Sequence, residues 1–256
     1  MSFLRVDNLS MVFGGVHALD RVSMTMAKGE LLGLIGPNGA GKTTFLRALT
    51  GVFQPTAGRV YFKDREITRL PVHARAQLGM VLTHQVVRPF RDMTLVENVM
   101  LAAEPALIAS PLRSVVRVDR SDAWQRAMAL LKRLGIDDAA DKNASILPLG
   151  YLKRMQVARA LACDPELLLL DEPLAGLNYT EAARMADTIV EINREGRAIL
   201  LVEHNLGEVM RIAPRVLVLN NGAVLATGKP DEVMRRPDVR VAYLGEVSAD
   251  AGGVDA

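Results

Sequence analysis

Apolar residues along this chain fall into short uninterrupted runs, each closed by glycine or by polar residues, with helix-spaced segments between them. The run at 31–35 (LLGLI) predicts a buried strand, a Gly-rich turn breaks it, and a helix is predicted from there to Gly51. After Pro165 the runs predict strands at 167–171, 198–203 and 215–219. Helices at about 180–195 and 205–212 are predicted between them. Strands alternating with helices imply a mainly parallel, doubly wound sheet. The N-terminal part differs: residues 3–26 predict short strands around a turn at Gly14-Gly15, and 58–67 a hairpin-like piece. Asn221-Gly222 is a further hairpin signal.

The stretch 85–165 is mostly helical in pattern and is predicted to form a subdomain inserted into the sheet. Its clearest helix is SDAWQRAMALLKRLG (121–135), with Ser121 predicted as N-cap and Gly135 as the C-terminal stop. Trp124, Ala127, Met128, Leu131 and Leu134 recur at helical spacing and predict a stripe that packs on the core. A second helix starts abruptly near Gly150, just upstream of the acidic pair Asp171-Glu172. The last residues, SADAGGVDA, predict a frayed tail. Internal repeats and heptads are absent.

Composition narrows the class. At 256 residues, half of them hydrophobic and 23% charged, the chain has the make-up and length of a folded protein with a substantial core. The net charge of +2 makes no general case for nucleic acid, and none is predicted as a partner. One cysteine, Cys163, excludes an internal disulfide and fits a reducing compartment. MSFLRVDNLS shows no cleavable signal pattern, and no apolar run approaches the roughly 18–20 residues that cross a bilayer. Work at a membrane would need a partner to hold the chain there.

The strongest chemical signal is GPNGAGKT (36–43), which fits G-x-x-x-x-G-K-[ST] with a strand before it and a helix after. Glycines let successive backbone N–H groups curl around phosphate oxygens, and the helix N-terminus adds partial positive charge. Lys42 can reach the β- and γ-phosphates, and Thr43 can offer its hydroxyl to Mg²⁺. LLLLDEP (167–173) delivers two carboxylates at the C-terminal end of a strand, where α/β sheets place ligand chemistry. Asp171 would hold Mg²⁺ and Glu172 would take a proton from the attacking water. A solvated strand end or an acidic helix cap is the alternative, and the upstream P-loop favours the catalytic reading. LLVEHN (200–205) repeats the arrangement with His204, a residue that taken alone is more often structural. Gln85 follows a short apolar run and by itself says nothing.

Taken together, the P-loop, Gln85, a short motif heading a helix, LLLLDEP and a strand ending in His204 resemble the nucleotide-binding subunit of ABC transporters. The resemblance spans about residues 3–245. It implies an α/β fold: a P-loop NTPase (RecA-like) core with an N-terminal antiparallel β subdomain and an inserted α-helical subdomain. On that pattern 1–246 is one nucleotide-binding domain. Residues 1–85 and 161–246 would form the core and β subdomain, about 86–160 the helical subdomain, and 247–256 a flexible tail. ATP and Mg²⁺ are the implied cofactors. Phe13 would stack on adenine, and Gly36, Pro37, Asn38, Gly39, Ala40, Gly41, Lys42, Thr43 and Thr44 would hold the phosphates. Gln85 would sense Mg²⁺ and the transmembrane partner, and His204 would be the switch residue. Leu149, Gly150 and Tyr151 would face the nucleotide of the opposite protomer, and Ala175, Gly176, Leu177 and Asn178 would touch that protomer. The resemblance further implies a head-to-tail dimer, two permease subunits, a periplasmic solute-binding protein acting indirectly, and a peripheral place on the cytoplasmic face of the inner membrane.

MTLVENV (93–99), LNYTEA (177–182) and RPDVRVAYLGE (236–246) further resemble the ATPase of branched-chain amino-acid importers, which usually pairs with a sister ATPase, although a homodimer stays open. The lipopolysaccharide-export ATPase, which LPVHARAQLGM (70–80) and the YLGE ending would also suit, and urea or short-amide uptake are the alternatives. A chromosome-associated ATPase would need a long coiled coil between Lys42 and Asp171, and a translation-associated one would carry two cassettes. A non-hydrolysing regulatory cassette is opposed by the retained Glu172 and His204.

One departure stands out. The family signature Leu-Ser-Gly-Gly-Gln is matched here by Leu147, Pro148, Leu149, Gly150 and Tyr151. Pro148 offers neither hydroxyl nor backbone N–H, and Leu149 adds bulk where backbone normally approaches the ligand. Asn178 likewise stands where many relatives have aspartate. These departures imply an asymmetric heterodimer in which this chain's own site is complete and its signature serves the partner less well.

Overall fold

The computed structural model describes residues 2–83, 88–103 and 120–250. Its strands are β1 (Leu4–Phe13), β2 (Val16–Met26), β3 (Leu31–Ile35), β4 (Ala57–Phe62), β5 (Arg65–Glu66), β6 (Met80–Thr83), β7 (Leu167–Asp171), β8 (Ala198–Val202), β9 (Arg215–Asn220) and β10 (Ala223–Gly228). Its helices are α1 (Lys42–Leu49), α2 (Val72–Gln77), α3 (Leu95–Ala103), α4 (Arg120–Arg133), α5 (Leu149–Ala162), α6 (Tyr179–Arg194), α7 (Leu206–Ile212), α8 (Pro230–Met234) and α9 (Pro237–Asp250).

The apolar runs become the strands of one sheet, in the order β10-β9-β3-β8-β7-β6. All its neighbours run parallel except β10, which folds back on β9. The turn between those two is the predicted Asn221-Gly222, with φ of 46° and 76°, the left-handed pair a two-residue hairpin needs. Residues 4–26 and 57–66 form the predicted antiparallel sheet, β2-β1-β4-β5.

Strands β3, β7 and β8 are buried at every position because both faces of the parallel sheet are covered. Side chains alternate between two cores. Ile35, Leu168, Leu170, Ile199 and Leu201 join the helices α3 to α7, whereas Leu34, Leu167, Leu169, Leu200 and Val202 join the antiparallel sheet and α1. Each such aliphatic side chain contributes roughly 1.5–3 kcal/mol of burial. Gly33 lets α7 approach, since a Cβ there would lie 2.7 Å from Val209 Cγ1.

Arg75 of α2 is 1% exposed, with no carboxylate among its bonding partners. Its guanidinium donates to the Ala48 and Leu49 carbonyls at 2.8 and 2.6 Å, and to the Leu70 and Thr68 carbonyls at 2.9 and 2.6 Å. It therefore sits on the negative end of α1, the helix that follows the P-loop. Burial lowers its pKa to about 10, still well above neutrality.

Three expectations change. Helix α4 begins by Arg120, so Ser121 lies inside it and does not cap it. Its buried stripe is Ala123, Ala127, Leu131 and Leu134, while Trp124 is 46% exposed. The helix packs closely on α3 and α5, and alanine fits that contact where an indole would hold it apart. The backbone of 247–250 continues α9, so the predicted flexible tail is helical at its start. Gln85 lies outside the described residues.

Candidate functional site

Parallel pairing brings the C-terminal ends of three strands level. Leu34 of β3 is in register with Val202 of β8, and Val202 with Asp171 of β7. The P-loop, the acidic pair and His204 therefore leave the sheet along one edge, and that common origin assembles the site.

After Ile35 the chain turns through Gly36, Gly39 and Gly41, with φ of 151°, 73° and 99°. Gly36 and Gly41 are also required by contact: a Cβ would lie 2.1 Å from the Leu219 carbonyl oxygen at the first and 2.7 Å from that of Ala18 at the second. Helix α1 then starts at Lys42 with no side-chain cap, so its leading N–H groups are turned toward the loop. Lys42 is 5% exposed, and its Nζ donates to the Gly36 and Pro37 carbonyls at 2.6 and 2.8 Å, which holds the ammonium over the loop. A cleft of about 420 Å³ follows this turn. Asn38 through Thr44 line one side, Val16, His17 and Ala18 of β2 a second, and Glu172 and His204 the far wall. Phe13 is 43% exposed, packs edge-to-face on Phe53, and pairs across the hairpin with the cleft residue Val16.

Asp171 and Glu172 are 5% and 6% exposed. Burial, reinforced by the Glu172 charge, raises the Asp171 pKa to about 6. Among the described residues the Oδ1 of Asp171 is buried without a hydrogen-bond partner. A buried, unpartnered carboxylate oxygen beside a second carboxylate is the setting a hard divalent cation relieves, so Mg²⁺ fits Asp171 together with the Thr43 hydroxyl. Glu172 holds φ of 50°, and its Oε1 is in hydrogen-bond contact with the His204 imidazole Nε2. That contact orients the carboxylate toward the cleft.

The stretch around Gly150 has a different construction. Helix α5 also begins without a side-chain cap, at Pro148. Tyr151 N–H bonds the Pro148 carbonyl at 3.1 Å, and the N–H groups of Leu149 and Gly150 have no upstream helical carbonyl within reach. Gly150 is buried, and a Cβ there would lie 2.9 Å from Glu181 Oε1. Leu149 is 44% exposed and leans on Gly176, where a Cβ would lie 2.7 Å from Leu149 Cδ2. Tyr151 turns its hydroxyl to Asp138 at 2.9 Å, so its side chain serves the chain's own fold. The loop 174–178 is thus packed on the signature it follows in space. Leu174 is buried, Ala175 and Leu177 are half-buried, and Gly176 and Asn178 are exposed. Asn178 caps α6 in a reciprocal box with Glu181, at 2.9 and 3.2 Å.

Around Glu172 and His204, sequence reasoning missed two buried charges. Lys153 of α5 donates to the Glu172 carbonyl at 2.8 Å. Glu203 accepts from the Leu174 N–H at 2.6 Å and the His204 N–H at 3.2 Å. Burial raises the Glu203 pKa to about 7, against the pull of those N–H donors. Glu203 carried a signal, since it directly follows an apolar strand as Glu172 does. Lys153 carried none.

Residues 19–175 match the ABC transporter family model, and 223–249 match that of the branched-chain amino acid ATP-binding cassette transporter. The chain is 41% identical to the high-affinity branched-chain amino acid transport ATP-binding protein LivG of Salmonella typhimurium, over 95% of this chain and 98% of that one. It is 36% identical to the lipopolysaccharide export system ATP-binding protein LptB of Acidithiobacillus ferridurans, over 88% and 89%. Among solved structures, an ATP-binding cassette of an ABC transporter in its ADP conformation superposes with a TM-score of 0.85 at 31% identity. The match covers 96% of this chain and 99% of that one.

Proposed function

This chain belongs to the ABC transporter family as an ATP-hydrolysing cassette, and we propose that it energises uptake of branched-chain or related amino acids through partner permeases. One observation carries the hydrolytic reading: a P-loop and a Glu172–His204 pair line one cleft, and the residue before Glu172 is Asp171, whose buried Oδ1 has no hydrogen-bond partner among the described residues. The C-terminal match at 223–249 and the amino-acid transport relative support the solute class.

In this reading the backbone N–H groups of 38–43 and Lys42 hold the β- and γ-phosphates of ATP. Thr43 and Asp171 would hold Mg²⁺, Gln85 is the residue this reading assigns to sensing it, and the bound ion would supply charge neutralisation at the phosphates. Glu172 accepts a proton from water aligned with the γ-phosphorus, contributing roughly 10²–10⁴ in rate. The new P–O bond forms as the bond to the β-γ bridging oxygen breaks, leaving ADP and phosphate. His204 orients Glu172 and reports the γ-phosphate. Phe13 stacks on adenine.

The second half of each site comes from another ATP-binding subunit, whose nucleotide meets Leu149, Gly150 and Tyr151 of this chain while 175–178 touch that subunit. A heterodimer fits the altered signature. Among the described residues no helix is long and apolar enough to cross a membrane. In this reading the permeases hold the dimer at the cytoplasmic face of the inner membrane. Gentle detergent extraction through a tag on this chain tests the assembly. A second ATPase and two permeases should co-purify, and leucine loaded on the periplasmic binding protein should stimulate hydrolysis. A homodimer with exporter membrane subunits would overturn the proposal.

A further inference from the structure

Lys153 is 4% exposed, on the first turns of a helix whose N-terminus faces the partner subunit's nucleotide in the reading above. Its ammonium is directed inward, to the Glu172 carbonyl, and Glu203, Glu172 and Asp171 are buried carboxylates whose charges favour its charged form. Burial lowers its pKa and those carboxylates oppose that shift. It donates a hydrogen bond to the main chain of Glu172, at 2.8 Å. Glu172 needs such support. At φ of 50° it occupies the left-handed region, which strains a residue with a Cβ and persists only where neighbours hold it. Among the described residues, its N–H donates to the Val202 carbonyl at 2.9 Å, and its carbonyl accepts from Ala175 N–H at 3.3 Å as well as from Lys153. Glu203 then fixes the next two elements, gripping Leu174 on one side and His204 on the other.

A buried lysine is a poor choice for stability alone, because an apolar side chain of similar length avoids the desolvation cost. It is a good choice for rigid coupling, since one charged group bonds a backbone atom of the catalytic turn and neutralises the strand ends around it. We propose that Lys153 is a positioning residue: it holds the Glu172 backbone in its working conformation and ties that residue to the helix facing the partner's nucleotide. Movement of α5 at one ATP site is thereby felt at the base of the other. The proposal rests on Glu172 being that base.

The test uses the transporter assembled with its partner chains, carrying K153M, K153R or E172Q. Hydrolysis is followed over a range of MgATP concentrations, with thermal melting of each variant. K153M should lose about tenfold or more in kcat, as small misplacements of catalytic groups do, with KM for ATP within about threefold and the melting temperature little changed. K153R should recover at least about a third of the lost rate, because a donor and its charge are restored. Should K153M not assemble, K153Q carries the same test, with a kcat loss of at least about fivefold expected. A kcat for K153M within twofold of wild type, or K153R no better than K153M, overturns the proposal. The E172Q arm separates the two layers. If E172Q keeps wild-type turnover, the base assignment fails; if E172Q is inactive while K153M is fully active, the positioning role alone fails.

Discussion

Two helix starts in this molecule face phosphate in the proposed dimer, and they are built differently. Helices α1 and α5 both begin without a side-chain cap, whereas α6 and α7 begin under Asn178 and Asn205. At α1 the surrounding residues are small, the turn is set by Gly36, Gly39 and Gly41, and Lys42 adds a fixed charge. At α5 the surrounding residues are Pro148, Leu149 and Tyr151, and the glycine that remains lies against the Glu181 side chain of the same chain. The difference teaches that an uncapped helix start can be retained while the side chains that refine it are lost. The first start carries its own chemistry, and the second works only as well as its backbone N–H groups allow.

Several substitutions break or sharpen that contrast. Glu172→Gln should act hardest, lowering kcat of the assembled transporter by about 10² or more while ATP binding at the P-loop persists, as read by a fluorescent ATP analogue. Unchanged turnover would remove the base from the first site. Arg75→Met tests whether the first start is supported from its far end. It should cost about 3 kcal/mol, seen as a lower urea midpoint at constant m-value, because four carbonyls lose a charged donor. Asn178→Ala should cost about 1 kcal/mol in the same assay, the usual value of an N-cap, and a loss confined to dimer activity would show that the residue serves the partner instead.

Legibility followed the physics of each region. The parallel sheet could be read because strands buried on both faces leave unbroken apolar runs, and the P-loop because its turn demands glycine. Asn221-Gly222 was legible for the same reason. Trp124 was misread because helical spacing cannot say which of two adjacent faces packs, and tight packing chose Ala123. Arg75 and Lys153 were invisible, since a buried cation is recognised by the carbonyls around it and those come from distant segments. Asn178 did carry a signal, the capping pattern Asn-x-x-Glu ending at Glu181, which resemblance to a dimer-contact loop obscured.

In the proposed dimer this chain's own ATP site is whole and its altered signature acts on the partner's nucleotide. Pro148→Ser with Leu149→Gly tests it in two backgrounds of the assembled heterodimer. With the partner's catalytic carboxylate removed, the remaining turnover uses this chain's P-loop, and the restored signature should change it by less than about twofold. With Glu172→Gln instead, turnover at the partner's P-loop should rise by up to about tenfold, the worth of one hydrogen bond to a charged group. A large change in the first background with none in the second would contradict the account.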